Sequence, residues 1–366
     1  MMEYTNEILE DIQAKKVVNT QFSKWYWKMG IDLKGEKITS DRLQKKSEKI
    51  NDCLNLWAWD VYSKNKVMDL VKVNRCYNNR FCPNCRKLDL AKSIHSFQKP
   101  FKKLIDEGKN PYLVTLTVRN VVAEDLNEAI QKLYKDFYKL FTGLNRPNSH
   151  GSTRPGIRFR EINFEACLKV LEITYNKRKR TFHPHLHCIM FSSAKYEIND
   201  YRKYVQGHYS FKRESYNYHS KMDIHLQKLW TMINLKIRMT EKNFEDMSND
   251  PKQLMQVDIR EMDEKGIYEV LKYTFKDTDI SNYFVFETMV NALNNRRIRQ
   301  GYGELYNLKT EDVYEGEIQS LEEFLDIKEN PSSLVTREIN ELLTTYKDFK
   351  KISRFTPSIE YSNIIE

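Results

Sequence analysis

Apolar residues recur at two periods along the chain, and the switches between those periods mark out its elements. Leu126, Ile130, Leu133, Phe137 and Leu140 step by three and four and stop at Gly143, the stripe of an amphipathic helix. Leu226, Leu229, Trp230, Ile233 and Ile237 mark a second such helix, and Val285, Met289, Ala292 and Leu293 a third. A shorter helical pattern covers "GIYEVLKYTFK", and "LDLAKSIHSFQKPFKKLIDEG" reads as a helix ending near Gly108. Elsewhere the period drops to two. In "PYLVTLTVRN" Leu116 and Val118 alternate with Thr115, Thr117 and Arg119, which suits a strand with one buried face. "CLKVLEITY" and "TFHPHLHCIMF" read as two strands joined by the basic turn "NKRKR", a hairpin, and Met255, Val257 and Ile259 give a further strand. The turn-rich "NRPNSHGSTRPG" is a loop. The order strand, helix, hairpin, helix, strand, helix describes an α+β domain built on an antiparallel sheet.

The flanks are less patterned. Residues 1–50 are polar and lysine-rich, with only Trp25, Tyr26 and Trp27 to suggest packing, and read as a loosely tied arm. Residues 51–95 carry clustered cysteines, 96–305 hold the patterned domain, and 306–366 form an extension with no motif. A net charge of +9 and a pI near 9.0 favour a polyanionic partner, with nucleic acid the leading candidate. The first residues lack an apolar signal core, and no window approaches the ~20 apolar residues of a membrane span. The expectation is a cytoplasmic protein with no membrane partner, whose six cysteines serve as metal ligands or core residues rather than disulfides.

Three of the eight histidines fall within "HPHLHCIM", on a segment that otherwise reads as an apolar strand. Side chains at i and i+2 share one face of a strand, about 6.6 Å apart, a span two imidazoles can close onto one ion. His185 and His187 fit, with Leu186, Cys188 and Met190 on the opposite face fixing their direction. Glu172 on the partner strand could be brought beside them by the hairpin, completing a three-ligand divalent metal site with open positions. His183 lies about 13 Å from His187 along the strand and is expected to orient Pro184 or touch substrate. The same ligand set also serves iron oxygenases, so the motif names a metal site and not a reaction.

In "YEVLKYTFK" Glu269 and Tyr273 are four apart and Lys276 is three further on, so one helical face carries carboxylate, phenol and ammonium. Lys276 could lower the phenol's pKa and Glu269 accept its proton, which would make Tyr273 a nucleophile; the alternative is a surface cluster. Cys82 and Cys85 form C-P-N-C, suited to two tetrahedral zinc ligands, with Cys76 upstream and Cys53 further back. His95 competes with Cys53 for the fourth place. Arg75, Arg80, Arg86 and Lys87 surround this module and suggest that it touches DNA. Cys167 and Cys188 fall within strand patterns and read as core. Lys177, Arg178, Lys179 and Arg180 in the hairpin turn could hold a DNA backbone, or could be a solvated turn.

Taken together, "CYNNRFCPNC", "TLTVRN", Glu172 in "KVLEIT", "HPHLH", the Leu229–Trp230 pair, "EVLKYTFK" and "RRIRQGYG" resemble, in order, the rolling-circle replication initiators of small plasmids from Gram-positive bacteria, within the HUH endonuclease superfamily. The resemblance runs from about Cys53 to Gly303. It implies an HUH endonuclease-type antiparallel sheet flanked by helices behind an N-terminal zinc-binding module. It implies Mg²⁺ or Mn²⁺ on His185, His187 and Glu172, structural Zn²⁺ on the cysteines, and a metal-dependent nickase and strand transferase. Tyr273 would cut one strand of the plasmid's double-strand origin, leaving a 5′-phosphotyrosine and a 3′-OH primer, and Glu269 would activate water at termination. Single-stranded and duplex origin DNA would be partners, as would a host helicase, polymerase and single-strand-binding protein, since the chain has no GxxxxGK[ST] loop. Beside this reading stand an iron oxygenase, disfavoured by the basic charge and the cysteine module, and two further rivals. One is a relaxase or single-strand transposase of the same superfamily, disfavoured because Tyr273 follows the histidines. The other is a non-enzymatic zinc-dependent DNA-binding regulator.

Overall fold

The computed structural model describes residues 6–33, 37–62, 67–144, 162–196, 198, 220–263, 266, 270, 280–308 and 349–354; for 6–14, 37–38, 56–62, 67–73 and 349–354 it describes the backbone alone. The elements begin with α1 (Asn6–Asp32), α2 (Lys37–Asn51), β1 (Leu56–Tyr62), β2 (Val67–Val73), α3 (Pro83–Asp106), β3 (Asn110–Thr117) and α4 (Leu126–Leu144). They continue with β4 (Ala166–Asn176), β5 (Thr181–Ser192), α5 (Lys221–Asn234), α6 (Glu241–Glu245), β6 (Val257–Glu261), α7 (Tyr283–Ala292), β7 (Arg299–Gly303) and β8 (Phe349–Arg354). The chain folds into two units. The first comprises Met1–His95, Ser281–Glu287 and Thr310–Glu366, and the second Ser96–Ile280 and Thr288–Lys309.

The first unit corrects the expectation of a loose arm. Its α1 and α2 pack side by side as a helical pair, which the periodicity hid because much of their interface is small and polar. Ser23 and Ser47 each donate to the other's carbonyl, at 3.0 and 2.7 Å, and Ser40 donates to the Gly30 carbonyl. Gly30 lets the helices approach: a Cβ there would meet Gln44 Cγ at 3.1 Å and Ser40 O at 3.2 Å. Phe22, Tyr26 and Phe81 gather around Phe286, with ring centroids 4.9 to 5.2 Å from it. A three-stranded antiparallel sheet in the order β2-β1-β8 completes the unit's described part.

The second unit is built on a five-stranded antiparallel sheet, β6-β3-β5-β4-β7, with helices against it. The α+β reading is therefore correct. Tyr112, Val114, Leu116, Leu186, Cys188, Met190, Cys167 and Leu171 form one wholly buried face. The α4 residues Leu126, Ile130, Leu133, Phe137 and Leu140 are fully buried, as their spacing predicts. Helix α5 is stitched to β6. Asp223 closes a capping box with Ser220 and accepts from the Ile259 N–H at 2.8 Å, and Gln227 donates to the Val257 carbonyl at 2.9 Å. Leu229 and Trp230 are also buried, and the Trp230 indole donates to the Thr117 carbonyl at 2.7 Å, pinning the end of β3. Ile237 lies beyond α5, after Lys236 turns left-handed (φ 56°). The "RQGYG" tail becomes edge strand β7, where a Cβ on Gly301 would fall 1.9 Å from the Leu305 carbonyl oxygen.

Lys169, only 1% exposed, sits in the buried face with its ammonium 3.5 Å from the centre of the Tyr134 ring. Phe137 and Tyr302 lie near it at 5.3 and 5.4 Å. Burial pushes its pKa down to about 8, against the pull of Cys188 and Cys167. The unfolded chain therefore binds one more proton than the folded one between about pH 8 and 10.5, and stability rises with pH through that window. Lys169→Met should stabilise the protein by about 3 kcal/mol below pH 8, a gain that fades as pH rises toward 10.5, read by urea denaturation at several pH values.

Candidate metal centres

The β4–β5 hairpin sets Glu172 directly opposite His185, with Val170 opposite His187. Its other neighbour, β3, sets Thr117 against His185 and Thr115 against His187. A period of two therefore puts Glu172, His185, His187, Thr115 and Thr117 on the sheet face opposite the one buried by Leu186 and Cys188. Both imidazole Nε2 atoms converge on one carboxylate oxygen, Glu172 Oε2, at 2.9 Å from His185 and 2.7 Å from His187. All three residues are buried. Burial raises the Glu172 pKa, but hydrogen bonds and charge from the two histidines outweigh it and hold the carboxyl at about 2.

The ring contacts favour a cation between these atoms. His185 Nδ1 lies 3.1 Å from the His183 carbonyl oxygen, which can only accept, so Nδ1 carries a proton and Nε2 is the ring atom that would offer a metal ion its lone pair. Thr115 Oγ1 braces His187 Nδ1 at 3.3 Å. Two lone pairs aimed at an anionic oxygen are stable around a proton or a metal ion. Octahedral coordination at about 2.1 Å puts neighbouring ligand atoms about 3 Å apart, close to the contacts here. Glu172, His185 and His187 thus form a group that could hold a metal ion. His183 stacks on His185, with ring centroids 5.1 Å apart, and contributes its carbonyl rather than its ring. Thr115 is a member that the reading of single motifs missed, although its place in the "TLT" alternation pointed to it.

The second centre lies in the first unit. Cys53 follows α2, Cys76 follows β2, and Cys82 and Cys85 flank the first residue of α3, Pro83. Their sulfurs lie 3.5 to 3.7 Å apart for the pairs Cys76–Cys85, Cys82–Cys53 and Cys53–Cys85, and all four fall within 4.8 Å of one another. A disulfide would need about 2.05 Å. A tetrahedral ion with sulfur at about 2.3 Å has sulfur–sulfur edges of about 3.8 Å, close to this spacing. The chain path brings Cys53 into the cluster: the β1–β2 hairpin returns to its start, where Leu54 N–H meets the Asn74 carbonyl at 2.8 Å, bringing Cys53 to Cys76. Leu54 and Tyr77, each directly after a cysteine, are left-handed at φ 64° and 53°. Hydrogen bonds from Cys53, Cys76 and Cys85 hold the Cys82 thiol well below its usual range, while the same kind of contact pushes Cys76 up. Buried Lys16 donates to the Asn51 and Cys53 carbonyls and fixes the first ligand's backbone.

The basic turn Lys177, Arg178, Lys179 and Arg180 is exposed at the tip of the same hairpin and starts just past the end of β4, which lies four residues and about 13 Å from Glu172. Asn176 Oδ1 accepts from the Lys179 N–H at 2.9 Å, and Arg180 turns at φ 52°. Tyr273, Glu269 and Lys276 lie outside the described residues. Gly266 and Val270 of that segment are described and helical, and Val270 is buried. Val270 lines a cleft with Leu113, Arg260, Glu261, Met262, Asp263 and Gly266. Leu113 stands two residues before Thr115 on the same face of β3, so the cleft opens on the side of the sheet that carries the histidines.

The family model for Rep_1, replication protein, matches residues 67–351, well over half of the chain. The chain belongs to this replication-protein family. Among similar curated proteins is a "Protein rep" of Bacillus amyloliquefaciens, 25% identical over 303 residues that cover 76% of this chain and 78% of that protein. Another "Protein rep", from a Bacillus species, is 26% identical and covers 67% of this chain and 70% of its own length. A third, from Staphylococcus aureus, is 24% identical over 63% of this chain and 82% of that protein. No solved structure matches. This membership supports a plasmid replication initiator of the kind the motifs resemble, acting on DNA. No described helix is long and apolar enough to cross a membrane.

Proposed function

We propose that this Rep-family protein nicks one strand of a plasmid origin and starts rolling-circle replication, using an HUH-type site. The observation that carries the reading is the convergence of His185, His187 and Glu172 on one point of the sheet face opposite the one packed by Leu186 and Cys188. A bound Mg²⁺ or Mn²⁺ there would supply a Lewis acid for the scissile phosphate. Tyr273 would attack phosphorus, forming a Tyr Oη–P bond as the P–O3′ bond breaks. The phenol proton would pass to a base, for which Glu269, four positions earlier in the sequence, is the candidate, and the departing 3′ oxygen would gain a proton to become the primer hydroxyl. Lys276 would favour the phenolate by charge. Val270 supports this assignment, since it lies three residues before Tyr273 and shares a cleft with Leu113 on the histidine side of the sheet. At termination Glu269 would activate water against the phosphotyrosine, or a second strand's 3′-OH would take the phosphoryl group back.

Strand separation would fall to a host helicase, followed by polymerase and single-strand-binding protein. Cys53, Cys76, Cys82 and Cys85 would hold structural Zn²⁺, and Lys177 to Arg180 would hold the DNA backbone near the site. Incubation with labelled single-stranded origin DNA and Mn²⁺ should give a covalent protein–DNA adduct on a denaturing gel. The adduct should be absent with Tyr273→Phe. A wild-type protein that binds the origin yet forms no adduct would favour the regulator.

A further inference from the structure

In the first unit Lys46 has two other cations, Arg42 and Arg80, near it. Arg42 and Lys46 are one turn apart on α2, and the Lys46 ammonium lies 5.7 Å from the centre of the Tyr26 ring. The hydroxyl of the same tyrosine accepts from Asn78 Nδ2 at 3.2 Å, which ties the loop running from Cys76 to Cys82 to this spot. Arg80 stands two residues further along that loop. Besides burial, the charges acting on Lys46 are those of Arg42 and Arg80, both repulsive, and they add to the lowering of its pKa. Clustered cations attract an anion.

The neighbouring Tyr77 points to what kind of anion. It is 72% exposed and left-handed, at φ 53°, where a residue with a Cβ is strained by about 1 kcal/mol and Gly or Asn would not be. Neither burial nor backbone geometry accounts for an aromatic ring there. An exposed ring next to clustered cations is the combination that binds unpaired nucleotides, with the ring stacking on a base and the cations following the phosphates.

We propose that Arg42, Lys46, Arg80 and Tyr77 form a binding face for single-stranded DNA on the first unit, separate from the histidine centre. This rests on the DNA-acting reading above and gives the helical pair, which carries no motif, a part in it. The site uses no metal and makes no covalent bond.

The test is fluorescence anisotropy with a labelled mixed-sequence single strand and with its duplex, across a range of salt. Arg42→Gln/Lys46→Gln/Arg80→Gln should weaken single-strand binding and flatten the dependence of log K on log salt by about 2. Arg42→Gln/Lys46→Gln, both on α2 and outside the cysteine loop itself, should flatten it by about 1.4 at unchanged cysteine-bound metal. Tyr77→Ala should cost about tenfold with the slope unchanged. Wild-type affinity and slope for the single strand in the α2 double variant would overturn the proposal, as would losses confined to the duplex. Wild-type protein that binds neither DNA would sink the DNA-acting reading itself, a result distinct from both.

Discussion

Replacing Cys85 with serine should remove the zinc proposed for the four cysteines and unfold the cysteine module of the first unit. Cys85 stands 3.5 Å from Cys76 and 3.7 Å from Cys53, so its sulfur touches two of the other three. Structural zinc sites contribute apparent binding free energies of about 10–16 kcal/mol, more than a small module gains from its apolar core. Without the ion, the first residues of α3 and the turns after Leu54 and Tyr77 lose the crosslink that offsets their strain. Zinc content by atomic absorption should fall from one per chain to none, and limited proteolysis should open the segment between Cys53 and Cys85. Cys167→Ala is the control, because Cys167 is buried in the five-stranded sheet and stands outside the cluster. That variant should keep its zinc. Wild-type zinc content in Cys85→Ser would refute the assignment.

Glu172→Gln should lower nicking by about a thousandfold while leaving the fold intact. The amide keeps the carboxylate's shape, and its oxygen can still face one imidazole. It removes the negative charge on which both Nε2 atoms converge, and with it the charged ligand that a hard cation such as Mg²⁺ needs. A merely structural Glu172 would give a different signature: lost thermal stability, with nicking unchanged at a temperature where the variant is folded. Comparing melting temperature with nicking rate separates the two.

The histidine hairpin was legible because a period of two fixes both faces at once. Leu186, Cys188 and Met190 had to point into the core, so His185 and His187 had to point away from it, and the turn length then set Glu172 opposite His185. Helices α4 and α5 were legible from apolar stripes ending at their turns. The α1–α2 pair was not, because Asn19, Thr20, Ser23, Ser40 and Ser47 share its buried positions with Phe22, Tyr26, Met29, Leu43 and Ile50 and interrupt the apolar stripe. Strands β1 and β2 are mostly apolar but hold adjacent apolar residues, so no clean period of two marks them. Strand β7 is short and contains two glycines, and β8 is half cationic, so neither has a pattern of its own. Cys53 could not be chosen over His95 by spacing, since a hairpin that closes a long gap is a fact of pairing rather than of local sequence.

Titration of Mn²⁺ followed by electron paramagnetic resonance tests the central claim most directly, with wild-type protein set beside His185→Ala/His187→Ala and zinc content checked in both. The account predicts one bound Mn²⁺ in the wild type, none in the double variant, and equal zinc in each. A double variant that takes up Mn²⁺ with wild-type affinity would contradict it.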